Sequence, residues 1–137
     1  MNNTITRQKI EGSQRINHTA ALFGNTFPLV IEPVIYTFAE RLSPTYCGGY
    51  WHFHELSNGG FYMAPDEEEP FLVIGDNGFE GVMSADSFGI TVCLHAYSHL
   101  SFSNNSILAK SCAQHYHLLR AFMFDHAEVT TLLAATD

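Results

Sequence analysis

Within the stretch GGYWHFHELSNGGFYMAP, Gly48 to Pro65, two histidines and a glutamate fall in four consecutive positions: His52, His54 and Glu55. Residues two apart on a strand share a face, so His52 and His54 point the same way. With Glu55 they are the raw material of a metal- or histidine-dependent hydrolase. Zinc, however, needs three or four such ligands. A second pair, His95 and His99, is spaced one helical turn apart, but it lacks the glutamate that follows the first histidine in an HExxH motif. Nothing in the spacing forces the two pairs together, and histidines hydrogen-bonded in or near a core account for all four. Cys47, ahead of Gly48-Gly49, would act as a nucleophile only beside a histidine, and no local cysteine-protease signature surrounds it. The run Asp66-Glu67-Glu68-Glu69 reads as a solvated loop rather than a catalytic carboxylate pair. We therefore assign no catalytic, metal-ligating or cofactor-binding residue, and keep the hydrolase as the alternative.

The element that must position these residues is a hairpin. YWHFHELS and GFYMA flank Asn58-Gly59, and FLVIGD and FEGVMS flank Asn77-Gly78. Asn-Gly between apolar runs signals a two-residue type I′ turn, whose central residues both need positive φ. Such a turn sets Leu56 opposite Phe61, Glu55 opposite Tyr62 and His54 opposite Met63. One face then carries Tyr50, His52, His54, Leu56, Phe61 and Met63; the other carries Trp51, Phe53, Glu55, Tyr62 and Ala64. Neither is cleanly polar, so the hairpin should be covered on both sides, at least in part. The acidic loop Asp66–Pro70 joins the two hairpins into an expected four-stranded antiparallel meander.

Helices should surround it. A short helical turn is expected over His18–Gly24, and a helix from about Glu32 to Leu42. Pro33 suits that helix's first turn, and Val34, Ile35, Phe38 and Leu42 form its apolar stripe. Ser84 can cap a helix running to about Leu100 that is apolar almost all round, hence central. Asn104-Asn105-Ser106 starts another, to about Phe124, with Leu108, Cys112, Tyr116, Leu119 and Met123 inward; a last one spans about Ala127–Ala135. Strands followed by helices indicate an α+β fold. Residues 1–17 are polar and aperiodic and read as a flexible arm, leaving 18–137 as a single domain.

Composition bounds the function. The 137 residues are 46% hydrophobic and 15% charged, which excludes wholesale disorder. The formal net charge is −8, and from Glu55 to Asp86 there are eight acids and no Lys or Arg. That field repels nucleic acid and favours basic partners. Three cysteines without C-x-x-C spacing fit reduced thiols. With no apolar leader segment and no run long enough to span a membrane, the expected location is the cytoplasm.

The segment SPTYCGGYWHFHELSNGGFYMAPDEEE, continued by DNGFEGVMSADSFGI and QHYHLLRAF, resembles the ArdB/KlcA family of antirestriction proteins. The resemblance runs from about Leu22 to Asp137. It implies a small cytoplasmic protein of the kind often encoded on plasmids or other mobile elements. Such a protein protects incoming DNA from type I restriction and has no enzymatic activity or cofactor of its own. The implied partner is the type I restriction-modification enzyme or an associated host factor, with no direct binding to nucleic acid or membrane. The acidic loop is too short for full DNA mimicry. The expected partner surface is the hairpin with its adjoining loop: Tyr50, Trp51, His52, His54, Glu55, Tyr62, Asp66, Glu67, Glu68 and Glu69.

Overall fold

The computed structural model describes residues 4–137. The described residues form five strands and five α-helices: β1 (Arg7–Lys9), α1 (Arg15–Phe23), α2 (Glu32–Leu42), β2 (Trp51–Leu56), β3 (Phe61–Pro65), β4 (Phe71–Ile74), β5 (Glu80–Met83), α3 (Ala85–Leu100), α4 (Ser106–Met123) and α5 (Val129–Thr136). The α+β class is as expected, and so are the starts of the two long helices. The Ser84 hydroxyl accepts the Ser87 amide at 3.2 Å, and the Asn105 side chain accepts the Ile107 and Leu108 amides at 3.1 and 3.2 Å. Each satisfies donors that have no partner inside the helix.

The expected four-stranded meander is instead two sheets, β1-β2-β3 and β4-β5, all antiparallel. Both outer edges of the first hairpin are occupied. β1 pairs with β2 on one side, and α3 lies along β3 on the other. No edge is left for β4. The strand β1 also revises the expected flexible arm, of which Met1–Asn3 lie outside the described residues. The Ser57 amide donates to Thr6 O at 2.8 Å and the Ile10 amide to Phe53 O at 2.8 Å, which ties residues 6–10 along β2.

A second difference is one of register. β2 and β3 pair as Glu55–Phe61, His54–Tyr62, Phe53–Met63 and His52–Ala64, one residue off the expected alignment. Only Gly59 has positive φ, +92°; Asn58 does not, so a type I′ turn is ruled out. The loop is instead the three residues Ser57-Asn58-Gly59, closed by the Leu56 amide on Gly60 O at 2.9 Å. The Asn58 side chain takes part at both ends. Its oxygen accepts the Gly60 amide at 3.0 Å, and its nitrogen donates to Leu118 O in α4 at 2.9 Å. A one-residue shift turns every side chain of β3 to the other face. Tyr62 therefore joins His52 and His54, while Phe61 and Met63 join Trp51 and Phe53.

Helix α3 is central, touching β3, β4, α2, α4 and α5. Phe88 joins the two sheets by stacking on Phe71 at 4.6 Å between ring centres and lying 6.3 Å from Trp51. A π-helical turn, Phe27–Ile31, leads directly into α2. The buried face of α2 is Ile35, Ala39 and Leu42, with Val34 and Phe38 only half-buried. In α4, His115 and Phe122 are buried where Tyr116 was expected.

Candidate functional site

The exposed edge of β3 is closed by one face of α3. Residues 89, 93 and 97 are four apart and so face the strand together. A Cβ on Gly89 would lie 2.4 Å from both the Ala64 Cβ and the Met63 carbonyl oxygen, so only glycine permits this approach. The Cys93 thiol reaches Met63 O at 3.6 Å, and the Tyr97 hydroxyl donates to Phe61 O at 2.8 Å. Strand carbonyls that would otherwise be stranded in the core thereby gain side-chain donors.

On the other side of Tyr62 lies a polar network that draws on four parts of the chain. The Tyr62 hydroxyl donates to Asp86 at 2.7 Å and accepts from Arg7 at 2.7 Å; Arg7 also donates directly to Asp86. The second Asp86 oxygen accepts from His126 Nε2 at 2.8 Å. His126 Nδ1 accepts the Glu128 amide at 3.0 Å, which leaves the ring proton on Nε2 to be donated to Asp86. The Glu128 carboxylate accepts the amide and hydroxyl of Ser84, just ahead of α3. Burial works to raise the Asp86 pKa. The hydrogen bonds from His126 and Tyr62 and the Arg7 charge outweigh it and hold the carboxyl below its ordinary value. Burial, with Asp86 beside it, pushes the Tyr62 phenol up.

Beside this network runs a groove of about 210 Å³ lined by Lys9, His52, His54, Asp66, Glu67 and Asp86. His54 is only 6% exposed and packs against Tyr62 with ring centres 4.9 Å apart; its Nδ1 is buried without a hydrogen-bond partner among the described residues. Burial, then the Arg7 charge, lowers its pKa to about 4. His52 meets Asp66 at 3.0 Å. Glu55 points to the opposite face and meets His18 at 3.6 Å, so the hydrolase grouping of His52, His54 and Glu55 does not assemble. His95 and His99 instead pack around Phe38, at 6.0 and 5.6 Å between ring centres. Among the described residues, no three His, Cys, Asp or Glu side chains converge to hold a metal. Cys47 is exposed, and Cys93 and Cys112 are buried; all three are free thiols.

The expected partner surface is thus divided. Trp51 (2% exposed), His54 and Tyr62 (0%) are buried, so they are corrected to core positions. The Trp51 indole donates to the Tyr46 hydroxyl at 3.1 Å. Tyr50 and Asp66–Glu69 are exposed, while His52 and Glu55 are half-buried. Tyr50 lies beneath the Arg15 guanidinium, whose carbon is 4.6 Å from the tyrosine ring centre.

The antirestriction protein family model matches residues 44–137. The chain is 34% identical to an antirestriction protein KlcA of Escherichia coli, over 97% of this chain and 95% of that one. The chain belongs to the antirestriction protein family. It is also 43% identical over 81 residues to a putative antirestriction protein, YubI, of Escherichia coli K12, covering 59% of this chain and 57% of that one. The solved structure of the KlcA and ArdB proteins matches over 100% of both chains, with a TM-score of 0.91 and 34% identity. Those proteins are described as showing a novel fold and antirestriction activity against type I DNA restriction systems in vivo but not in vitro.

In this antirestriction domain, sequence reasoning singled out Tyr62 but missed its partners Arg7, Asp86 and His126. One local signal existed. ITRQKI, residues 5–10, places Arg7 and Lys9 on one face of a potential strand, opposite Thr6 and Gln8. No local signal links residue 7 to residue 86 or residue 126.

Proposed function

We propose that this protein inhibits type I restriction of incoming unmodified DNA in the cytoplasm, through contact with protein, without catalysing a reaction. The observation that carries this is the agreement in fold over the whole chain, at a TM-score of 0.91, with proteins active against type I systems in vivo but not in vitro. An inhibitor that simply filled the DNA site of the purified enzyme would act in vitro as well. Dependence on the cell favours a target that is the enzyme in its cellular assembly or an associated host factor.

The distribution of acids favours protein contact over DNA mimicry. A mimic needs free carboxylates at phosphate-like spacing. Here Asp86 is held within the polar network, Glu128 is bound to Ser84, Asp76 pairs with Arg41 at 2.5 Å and Asp66 meets His52. The remaining negative field steers the protein toward basic surfaces and away from nucleic acid. Plating unmodified phage on cells with an active type I system tests the function: expression of the protein should raise plating efficiency, and an unchanged efficiency would refute it.

A further inference from the structure

We propose that the open edge of β5, together with the outer face of the β4–β5 hairpin, is where a basic, extended segment of a partner protein docks as an added strand. This rests on the protein-contact function above and identifies the surface that serves it.

The ladder fixes which groups are free. The Gly75 amide donates to Phe79 O at 2.8 Å, so in the alternating pattern of an antiparallel pair Val73–Gly81 and Phe71–Met83 are hydrogen-bonded. Leu72–Val82 and Ile74–Glu80 are not, and the Leu72 amide indeed turns outward to the Thr45 hydroxyl at 3.2 Å. The amides and carbonyls of Glu80 and Val82 therefore point away from β4. Among the described residues none of these four groups has a partner. The other edges are managed. α3 closes β3, Thr45 covers part of β4, and β1 carries Arg7 and Lys9. Native proteins block an open edge with charge, a bulge or a cover, because it templates another strand. β5 has only Glu80.

The hairpin's outer face adds apolar surface to this edge. Val82 is 59% exposed and Ile74 44%, with half-buried Leu72 directly opposite Val82. The inner face, Phe71, Val73 and Met83, is buried, so the hairpin itself is anchored. Charge selects the occupant. Glu80 sits on the edge and Glu69 just before β4, and no Lys or Arg occurs between Glu55 and Asp86. A complementary strand places Lys or Arg opposite Glu80 and an apolar residue two positions along, opposite Val82. A second copy of this chain offers no cation in β5 and brings a further charge of −8.

The test titrates the full-length, 15N-labelled protein with an end-blocked Thr-Lys-Thr-Val-Thr-Lys peptide, whose lysines and valine lie two positions apart on one face. Saturable shifts and slowed hydrogen exchange at the Glu80 and Val82 amides are expected. The affinity should drop at least tenfold for Glu80→Lys, and binding should vanish when alternate peptide amides are N-methylated. Shifts confined to Asp66–Glu69, insensitivity to N-methylation, or protection of the same amides by dimerisation without peptide would each overturn the assignment. In restricting cells, Glu80→Lys/Val82→Lys should lose phage protection while keeping the wild-type thermal midpoint. If the wild type gives no protection, the antirestriction function itself fails. If wild type and variant protect equally, only the β5 surface fails.

Discussion

The two hairpins use the same turn and meet different fates. Each has a three-residue loop ending in a glycine at φ near +90°, Gly59 or Gly78. In each, an asparagine oxygen accepts the amide two residues on, and its nitrogen donates to a carbonyl late in a helix. Asn58 reaches Leu118 O in α4, and Asn77 reaches Ala134 O in α5 at 3.1 Å. Beyond the turn they part. β3 is buried at every position and sealed by α3, whereas β5 is buried only at Met83. Turn chemistry thus forms a hairpin, while the helix that packs against it determines whether the edge becomes core or stays available.

The largest way to break this contrast is Gly89→Ala. The new methyl would overlap Ala64 and the Met63 carbonyl, and a loss of about 3 kcal/mol or more is expected from denaturant unfolding. A wild-type midpoint would show that α3 does not seal β3 as described. Acid should come next, because the first hairpin contains histidines and the second has none. His54, and His115 in α4 beside Phe23, are lowered by burial to about 4, against about 6.5 when unfolded. The unfolded chain then binds more protons between those values. Stability is complete above about pH 6.5 and falls as pH drops toward 4, by up to about 3 kcal/mol per histidine. Asp86, held below its ordinary value, removes a further increment as pH falls below the ordinary carboxylate value of about 4. Unfolding midpoints at pH 7.5 and 4.5 check this, and His54→Gln should flatten part of the slope.

Smaller changes sharpen the comparison. Tyr97→Phe leaves Phe61 O without its donor inside the core and should cost about 1–3 kcal/mol in denaturant unfolding. Asn58→Ala should cost about 1–2 kcal/mol and Asn77→Ala about half of that, since the second turn is the more exposed; equal losses would mean that the turns alone set the energetics. Val82→Thr should shift the unfolding free energy by less than about 0.5 kcal/mol, as expected of an exposed position.

Local chemistry in the sequence determined much of this protein. Ser84 and Asn105 start α3 and α4 because their side chains bond amides two or three residues away, and Pro33 falls at the start of α2 as its position in the sequence predicts. The all-round apolar composition of α3 placed it at the centre, and both Asn-Gly pairs became turns. What depended on distant partners was decided only by the tertiary structure. The register of β2 and β3 turned on whether Asn58 would adopt positive φ, and that asparagine is held by α4, 60 residues away. The same holds for the site. Arg7, Tyr62, Asp86 and His126 become one network because β1 joins the first sheet and the α4–α5 connection passes the start of α3. A hydrogen bond between residues 24 or more apart leaves no periodicity in the chain; only packing brings its two ends together.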